Sequence, residues 1–150
     1  MRVFIDADGC PVVNITVHLA RQFKIPCIIV CDTAHQFSHI NTDIVVVDKG
    51  ADSTDYAIAN KISAGDLVIT QDFGLASMCL ARDARVLHQD GWEYTDENID
   101  ALLLQRHESF KYRNSGKRSK GPRKRTFSQD EAFSAALQTI LHGYTSGGAF

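Results

Sequence analysis

Aspartates follow the apolar runs of this 150-residue chain at positions where carboxylates can do chemistry. Asp6 and Asp8 come after the run at 3–5, and Asp72 comes shortly after the run at 67–69. Short apolar runs of this kind are typical of strands buried on both faces, and parallel strands present their carboxyl ends at one edge of a sheet. We therefore predict that Asp6 and Asp72 are neighbours if their strands are adjacent. Helix capping or solvation would explain any one of these aspartates alone.

A second pair of aspartates lies on a predicted helix over 52–64. Asp55 shares a helix face with Ile58, Ala59 and Ile62, and Asp52 extends the same stripe by one step. A solvated charge would more naturally lie on the opposite, polar face. Capping explains Asp52 but not Asp55, so we expect both carboxylates to point towards the sheet edge.

Several carboxylates brought this close together cannot all stay ionised without a compensating charge. Oxygen ligands of this kind suit Mg²⁺ or Mn²⁺, and such sites carry out phosphoryl transfer or phosphodiester hydrolysis. We predict a metal site formed by Asp6, Asp52, Asp55 and Asp72, in which Asp6, Asp55 and Asp72 are catalytic. Three further residues would support this set: Asp8, Cys10 and Thr70.

The elements that must position these residues alternate between strand and helix. The sequence predicts strands over 3–5, 27–31, 44–47, 67–69 and 85–87. It predicts helices over 12–23, 52–64, 72–82, 95–106 and 128–143, and a capping box from Ser128 to Glu131 opens the last one. This alternation indicates an α/β fold with a parallel sheet and right-handed crossovers.

The charge of the chain is unevenly distributed. Residues 1–105 carry a net charge of −8, whereas residues 106–125 carry nine Lys or Arg and one Glu, a net charge of +8. A basic segment beside an acidic body favours a polyanionic partner, bound through its phosphates without base specificity. A solvated linker is the alternative. The predicted nucleic-acid contacts are Lys111, Arg113, Lys117, Arg118, Lys120, Arg123, Lys124 and Arg125.

Composition excludes several other classes of protein. With 44% hydrophobic and 23% charged residues, the chain is neither disordered nor fibrous. It contains no run of 18 apolar residues, so we expect no membrane association. The first residues lack the pattern of a secretory signal, and the four cysteines form no CxxC pair, so we expect reduced thiols and a cytoplasmic location.

Several motifs of the chain resemble those of the YaiI/YqxD proteins, an uncharacterised bacterial family related to the PIN-domain nucleases. The matching motifs are IDADGCPV at 5–12, KGADSTDY at 49–56, ITQDFGLA at 69–76, YTDENID at 94–100 and the segment 106–122. The resemblance spans about residues 1–140.

The resemblance implies a PIN-like three-layer fold with about five strands in the order 3-2-1-4-5. It makes residues 1–144 one domain followed by a tail at 145–150, and it leaves a homodimer open. In PIN-like domains an acidic, metal-binding cluster lies at the carboxyl end of the sheet. Matched by motif, Asp6, Asp55 with Asp52, and Asp72 would form it, and the substrate would be RNA or another phosphodiester. The short chain between strands three and four departs from the pattern, and the basic segment would grip the substrate instead.

Three alternatives remain open at the level of the sequence. The Asp-x-Asp-Gly motif that begins at Asp6 also resembles the start of dehalogenase-type phosphatases, with Asp6 as nucleophile and Thr70 as a phosphate-binding hydroxyl. The closing acidic pair of those enzymes is missing. A non-catalytic RNA- or ribosome-binding adaptor is the second alternative. A thiolate at Cys10 is the third, but no Cys-x5-Arg loop follows it.

Overall fold

The computed structural model describes residues 1–32, 36–48, 53–114 and 124–146, and at 53 and 106–114 it describes the backbone. The strands in this part of the chain are β1 (Val3–Asp6), β2 (Cys27–Cys31), β3 (Asp43–Val46), β4 (Leu67–Ile69), β5 (Arg85–Leu87) and β6 (Glu93–Tyr94). The helices are α1 (Val13–Gln22), α2 (Ser53–Lys61), α3 (Phe73–Leu80), α4 (Asp96–Asn114) and α5 (Phe127–Thr145).

The strands form one sheet in the order β3-β2-β1-β4-β5-β6. The first five of these pair in parallel, which confirms the predicted order 3-2-1-4-5. The two-residue strand β6 is an addition that the sequence did not predict, and it runs antiparallel to β5. Because Ile5 of β1 lies opposite Ile69 of β4, the carboxyl ends of these two strands meet at the same edge.

The sheet separates two apolar cores and gives the protein three layers. Val3 and Ile5 face one core, where Leu19 of α1 and Phe133 of α5 pack against them. Phe4 faces the other core, which α2, α3 and α4 cover. Since side chains alternate along a strand, Asp6 emerges on the same face as Phe4, under the three-helix layer. The predicted three-layer α/β fold is confirmed.

The third strand is less buried than its sequence suggests. The run at 44–47 is as apolar as the other predicted strands, yet β3 forms the open edge of the sheet. Val46 is 57% exposed, and Asp48 beyond it is also exposed. The predicted strand is present, with Ile44 packed against one core and Val45 against the other, but both are partly buried rather than fully buried. The reason is that, among the described residues, β3 is hydrogen-bonded to one neighbouring strand, β2, and lies at the edge of the sheet.

Two predicted helix boundaries also differ. Helix α4 continues to Asn114, eight residues beyond the predicted end, and so enters the basic segment. The capping box of α5 begins at Thr126 rather than Ser128: the Thr126 hydroxyl accepts from the Gln129 amide at 3.4 Å, and the Gln129 side chain accepts from the Thr126 amide at 2.7 Å. The same Thr-x-x-Gln spacing occurs two residues earlier than the predicted box. In the described part of the chain, no helix is long and apolar enough to span a bilayer.

Candidate functional site

The carboxyl ends of the central strands carry three polar side chains on one face of the sheet. Phe4, Val68 and Val86 all belong to the core under α2, α3 and α4. Two residues further along each strand are Asp6, Thr70 and His88, which the strand alternation places on that same face. This edge therefore also carries His88, a residue that the sequence analysis did not identify.

Thr70 links the two aspartates that the sequence predicted to be neighbours. Its hydroxyl donates to Oδ2 of Asp6 at 2.7 Å and accepts from the backbone amide of Asp72 at 3.0 Å. Asp72 in turn caps α3, because its Oδ1 accepts from the Leu75 amide at 3.0 Å. Asp6, Thr70 and Asp72 thus form one hydrogen-bonded unit, which we call the carboxylate site.

Burial raises the pKa of Asp6 to about 6. The hydrogen bond from Thr70 opposes this shift, while the negative charges of Asp72 and Asp8 add to it. The raised pKa means that the folded protein disfavours the ionised form of Asp6 in the absence of a compensating positive charge. A perturbed carboxyl beside a second carboxyl is typical of functional sites, although structural groups show it as well.

Asp8 supports the loop that follows β1. Its Oδ2 accepts from the backbone amide of Asp32 at 2.7 Å, and the Ala7 amide donates to Val30 at 3.0 Å. Gly9, with φ of +73°, lies in a left-handed conformation that favours glycine and turns the chain towards α1. These contacts hold the loop against the end of β2, so Asp8 contributes its charge to the site while binding backbone.

Asp55 lies in the first turn of α2, on the face that the sequence predicted. Ile58, Ala59 and Ile62 of that face are buried in the core between the helices and the sheet. Burial raises the pKa of the Cys79 thiol in α3 to about 12, and the negative charges of Asp55 and Asp6 add to the shift. The charge of Asp55 therefore acts on α3, the helix whose first turn is capped by Asp72.

The described side chains do not by themselves complete a metal centre. Within residues 1–32, 36–48, 54–105 and 124–146, no three His, Cys, Asp or Glu side chains converge closely enough to hold an ion. Asp52, the fourth predicted ligand, lies outside the described residues. Asp6 and Asp72 are brought together as predicted. The hydrogen bonds of Thr70 that join this pair do not extend to Asp55 of α2.

Cys10 lies beside the site but does not have the properties of a nucleophile. Its side chain is partly buried and packs against the core under α1 and α5. Burial raises its pKa to about 11, and the charge of Asp6 adds to the shift. The thiol therefore stays protonated near neutral pH, which agrees with a packing role rather than the thiolate alternative.

Two residues of the basic segment have described side chains, and one of them is tied into the fold. Arg125 donates to Asp90 at 2.9 Å, to Asp130 at 2.6 Å and to the Gln89 carbonyl at 2.7 Å. It therefore joins the loop after β5 to the start of α5. Lys124 is exposed. For Lys111 and Arg113 the structure describes backbone, and Lys117, Arg118, Lys120 and Arg123 lie outside the described residues.

An aromatic group next to the carboxylate site was missed entirely by the sequence analysis. His88 stacks on Trp92 with ring centroids 4.3 Å apart, and Tyr94 packs edge-on against Trp92 at 4.6 Å and Phe73 at 5.9 Å. Burial lowers the pKa of His88, and its Nδ1 accepts from the Asp90 amide at 3.0 Å. The signal for His88 was its position directly after a short apolar strand, the same criterion that identified Asp6.

Comparison of the whole chain with known proteins identifies its family. The model described as "Uncharacterized BCR, YaiI/YqxD family" matches residues 4–143. A UPF0178 protein of Exiguobacterium sibiricum is 44% identical over 94% of this chain and 96% of its own length. UPF0178 proteins of Clostridium acetobutylicum and Bacillus cereus are 42% and 41% identical, over 94% of this chain and 97% and 99% of theirs. No solved structure matches. The chain belongs to the YaiI/YqxD family.

Proposed function

We propose that this protein is a Mg²⁺- or Mn²⁺-dependent phosphodiesterase that hydrolyses RNA or a related phosphodiester at the carboxylate site. The observation that supports the proposal most is the pair of Asp6 and Asp72 at the carboxyl edge of a parallel sheet, where the Thr70 hydroxyl joins the Asp6 carboxylate to the Asp72 backbone amide. Ligands of such sheets bind at this edge, where the strand order reverses next to β1. Asp55 adds a third carboxylate from α2.

The chemistry of the donor set fits a hard divalent cation. Burial raises the pKa of Asp6 to about 6, and the negative charge of Asp72 adds to the shift. The Thr70 hydroxyl that binds the Asp6 carboxylate also accepts from the Asp72 backbone amide. Asp6, Asp55 and Asp72 would hold the ion, with Asp52 as a further ligand and Asp8 in support. When bound, such an ion supplies a compensating charge and activates water for attack on phosphorus.

The chain's own residues would orient this chemistry. Thr70 restricts the rotation of the Asp6 carboxylate, because its hydroxyl donates to Oδ2 and leaves Oδ1 without a hydrogen bond from Thr70. The cap of α3 fixes Asp72 in the same way, since its Oδ1 accepts from Leu75. The basic segment would grip the phosphate chain, because the acidic remainder of the protein repels it.

The experiment that tests the proposal measures metal binding and cleavage in the same variants. Mg²⁺ and Mn²⁺ should raise the melting temperature of the wild type, because they bind the folded state alone. Asp6→Asn and Asp55→Asn should each abolish cleavage of single-stranded RNA. Asp100→Asn, an exposed carboxylate of α4, is the matched control and should leave both properties unchanged. Absence of any metal binding at millimolar concentration would remove the basis of the proposal.

The same assay separates hydrolysis at a metal site from a phosphatase that uses Asp6 as nucleophile. If Asp6 ligates metal, no aspartyl-phosphate forms, and small phosphomonoesters are spared. A fast phosphomonoesterase rate that survives Asp55→Asn would favour the dehalogenase-type alternative. In this structure the Thr70 hydroxyl donates to Asp6 itself, whereas that alternative requires it to bind the phosphate.

A second candidate function is an RNA-binding adaptor without catalysis, because the net charge of +8 over residues 106–125 would bind a phosphate chain whether or not a cleavage site is present. An adaptor would bind RNA through the basic segment with equal affinity in the wild type and in Asp6→Asn. It would cut no RNA in either, with or without Mn²⁺.

A further inference from the structure

Tyr94 is a buried tyrosine whose hydroxyl has no partner among the described residues. It lies on β6 and is 1% exposed. Among the buried side-chain oxygens and nitrogens of the described residues, its hydroxyl oxygen alone lacks a hydrogen bond. Buried tyrosine hydroxyls normally find a partner, because an unpaired one has lost its water without compensation. The Tyr94 hydroxyl is therefore available to donate a hydrogen bond to a bound ligand.

Tyr94 lies beside the carboxylate site. Tyr94 lies opposite Val86 in the sheet, on the face where Asp6 emerges. Its ring packs edge-on against Phe73, the residue that directly follows Asp72. The carboxylates whose charges act on the hydroxyl are Asp72, Asp6 and Asp90, in decreasing order of effect.

The chemistry of a phenol in this place limits what it can bind. Burial and the three carboxylates raise the pKa of Tyr94 far above its ordinary value, so the group remains a neutral hydrogen-bond donor. A hydroxyl proton is repelled by a cation, but the hydroxyl can donate it in a hydrogen bond to an electron-rich oxygen. An anionic oxygen would be repelled by Asp6 and Asp72 unless a cation entered with it. A phosphate oxygen held together with a divalent cation satisfies both conditions.

We propose that Tyr94 is a phosphate-binding residue of the carboxylate site, where its hydroxyl donates a hydrogen bond to a phosphate oxygen beside Asp72. The proposal rests on the proposed function, because the phosphate needs the cation that Asp6 and Asp72 would hold. Tyr94 takes no part in holding the cation itself. Metal binding and phosphate binding should therefore depend on different residues of the same site.

The test compares Tyr94→Phe with the wild type and with Tyr144→Phe. Tyr144 is a matched control, because it packs against the opposite core and its hydroxyl accepts from the N-terminal ammonium at 2.7 Å. Calorimetry measures the affinity for Mg²⁺, and then the affinity of the Mg²⁺-saturated protein for inorganic phosphate. Tyr94→Phe should bind Mg²⁺ like the wild type but phosphate about 10- to 100-fold more weakly, as expected for one hydrogen bond to a charged group. Tyr144→Phe should match the wild type in both.

The melting temperature without ligand provides an independent readout. Removing an unpaired buried hydroxyl should leave the melting temperature of Tyr94→Phe unchanged or raise it by about 2–4 °C. A clear fall would mean that the hydroxyl is already hydrogen-bonded in the ligand-free protein, which overturns the proposal. Equal phosphate affinity in Tyr94→Phe and wild type overturns it as well but leaves the metal site intact. Failure of the wild type to bind Mg²⁺ overturns both this proposal and the proposed function.

Discussion

Replacing Asp6 by Asn should stabilise the metal-free protein at neutral pH. The pKa of Asp6 is raised from 3.8 to about 6, chiefly by burial. Each unit of pKa shift corresponds to about 1.4 kcal/mol, so the ionised Asp6 destabilises the fold by roughly 3 kcal/mol at pH 7. Asn is neutral and keeps an oxygen that can accept from Thr70. Since its amide group needs a partner of its own, we expect a net gain of about 1–3 kcal/mol in the free energy of unfolding.

The pH dependence of this gain has a definite sign. Below pH 3.8 Asp6 is protonated in both the folded and the unfolded state, and it has no effect on pH dependence there. Between pH 3.8 and 6 the folded state holds the proton more tightly, so the wild type loses stability as the pH rises through this window. Above pH 6 the contribution is constant. The difference between Asp6→Asn and wild type should therefore grow from pH 4 to pH 6 and then remain level.

Urea unfolding of both proteins at pH 4, 5, 6 and 7, in the presence of a chelator, measures this difference. Asp100→Asn removes an exposed carboxylate from α4 and controls for the general effect of one negative charge. Millimolar Mg²⁺ should reverse the order at pH 7, because the wild type alone gains binding energy. An Asp6→Asn protein that is less stable than wild type at pH 7 without metal, with a difference independent of pH, would refute the reasoning.

The remaining predictions concern the basic segment, including Arg125, and the thiol of Cys10. Neutralising Lys117, Arg118 and Lys120 together should weaken RNA binding in fluorescence anisotropy and, if all three contact phosphates, flatten the slope of log K against log salt by about two units. An unchanged slope would make the segment a solvated linker. Arg125→Lys should lower the free energy of unfolding by about 1–2 kcal/mol in urea titration, since one ammonium cannot replace contacts to three acceptors. Cys10 should react slowly with iodoacetamide at pH 7 in the folded protein, because its pKa is about 11; rapid alkylation would contradict this.

The sequence predicted the central part of the fold because the information there is local. Apolar runs marked the strands, and the alternation with helices determined the parallel sheet. The neighbourhood of Asp6 and Asp72 followed from one assumption, that β1 and β4 are adjacent, and the structure confirms it. The stripe of Ile58, Ala59 and Ile62 likewise identified the buried face of α2 before any contact was known.

What the sequence did not predict depends on contacts between distant segments. The strand β6 has two residues, too few for an alternation pattern. It forms through its antiparallel pairing with β5. Tyr94 therefore gave no sign of its burial. Arg125 was grouped with the other basic residues, since nothing in its neighbourhood shows that Asp90 and Asp130 lie beside it. The predicted order 3-2-1-4-5 already placed β3 at an edge, but its apolar run gave no sign that Val46 would be exposed there.

Anomalous diffraction from a crystal soaked in Mn²⁺ tests the central claim most directly. The claim is that the carboxylates of Asp6 and Asp72, whose residues Thr70 links at the edge of the sheet through the Asp6 carboxylate and the Asp72 backbone amide, hold a divalent cation. It predicts an anomalous peak within about 2–2.5 Å of carboxylate oxygens of both residues, with Asp55 in reach and no peak in an Asp6→Asn crystal. Fully occupied manganese elsewhere on the protein, with none between Asp6 and Asp72, would contradict it.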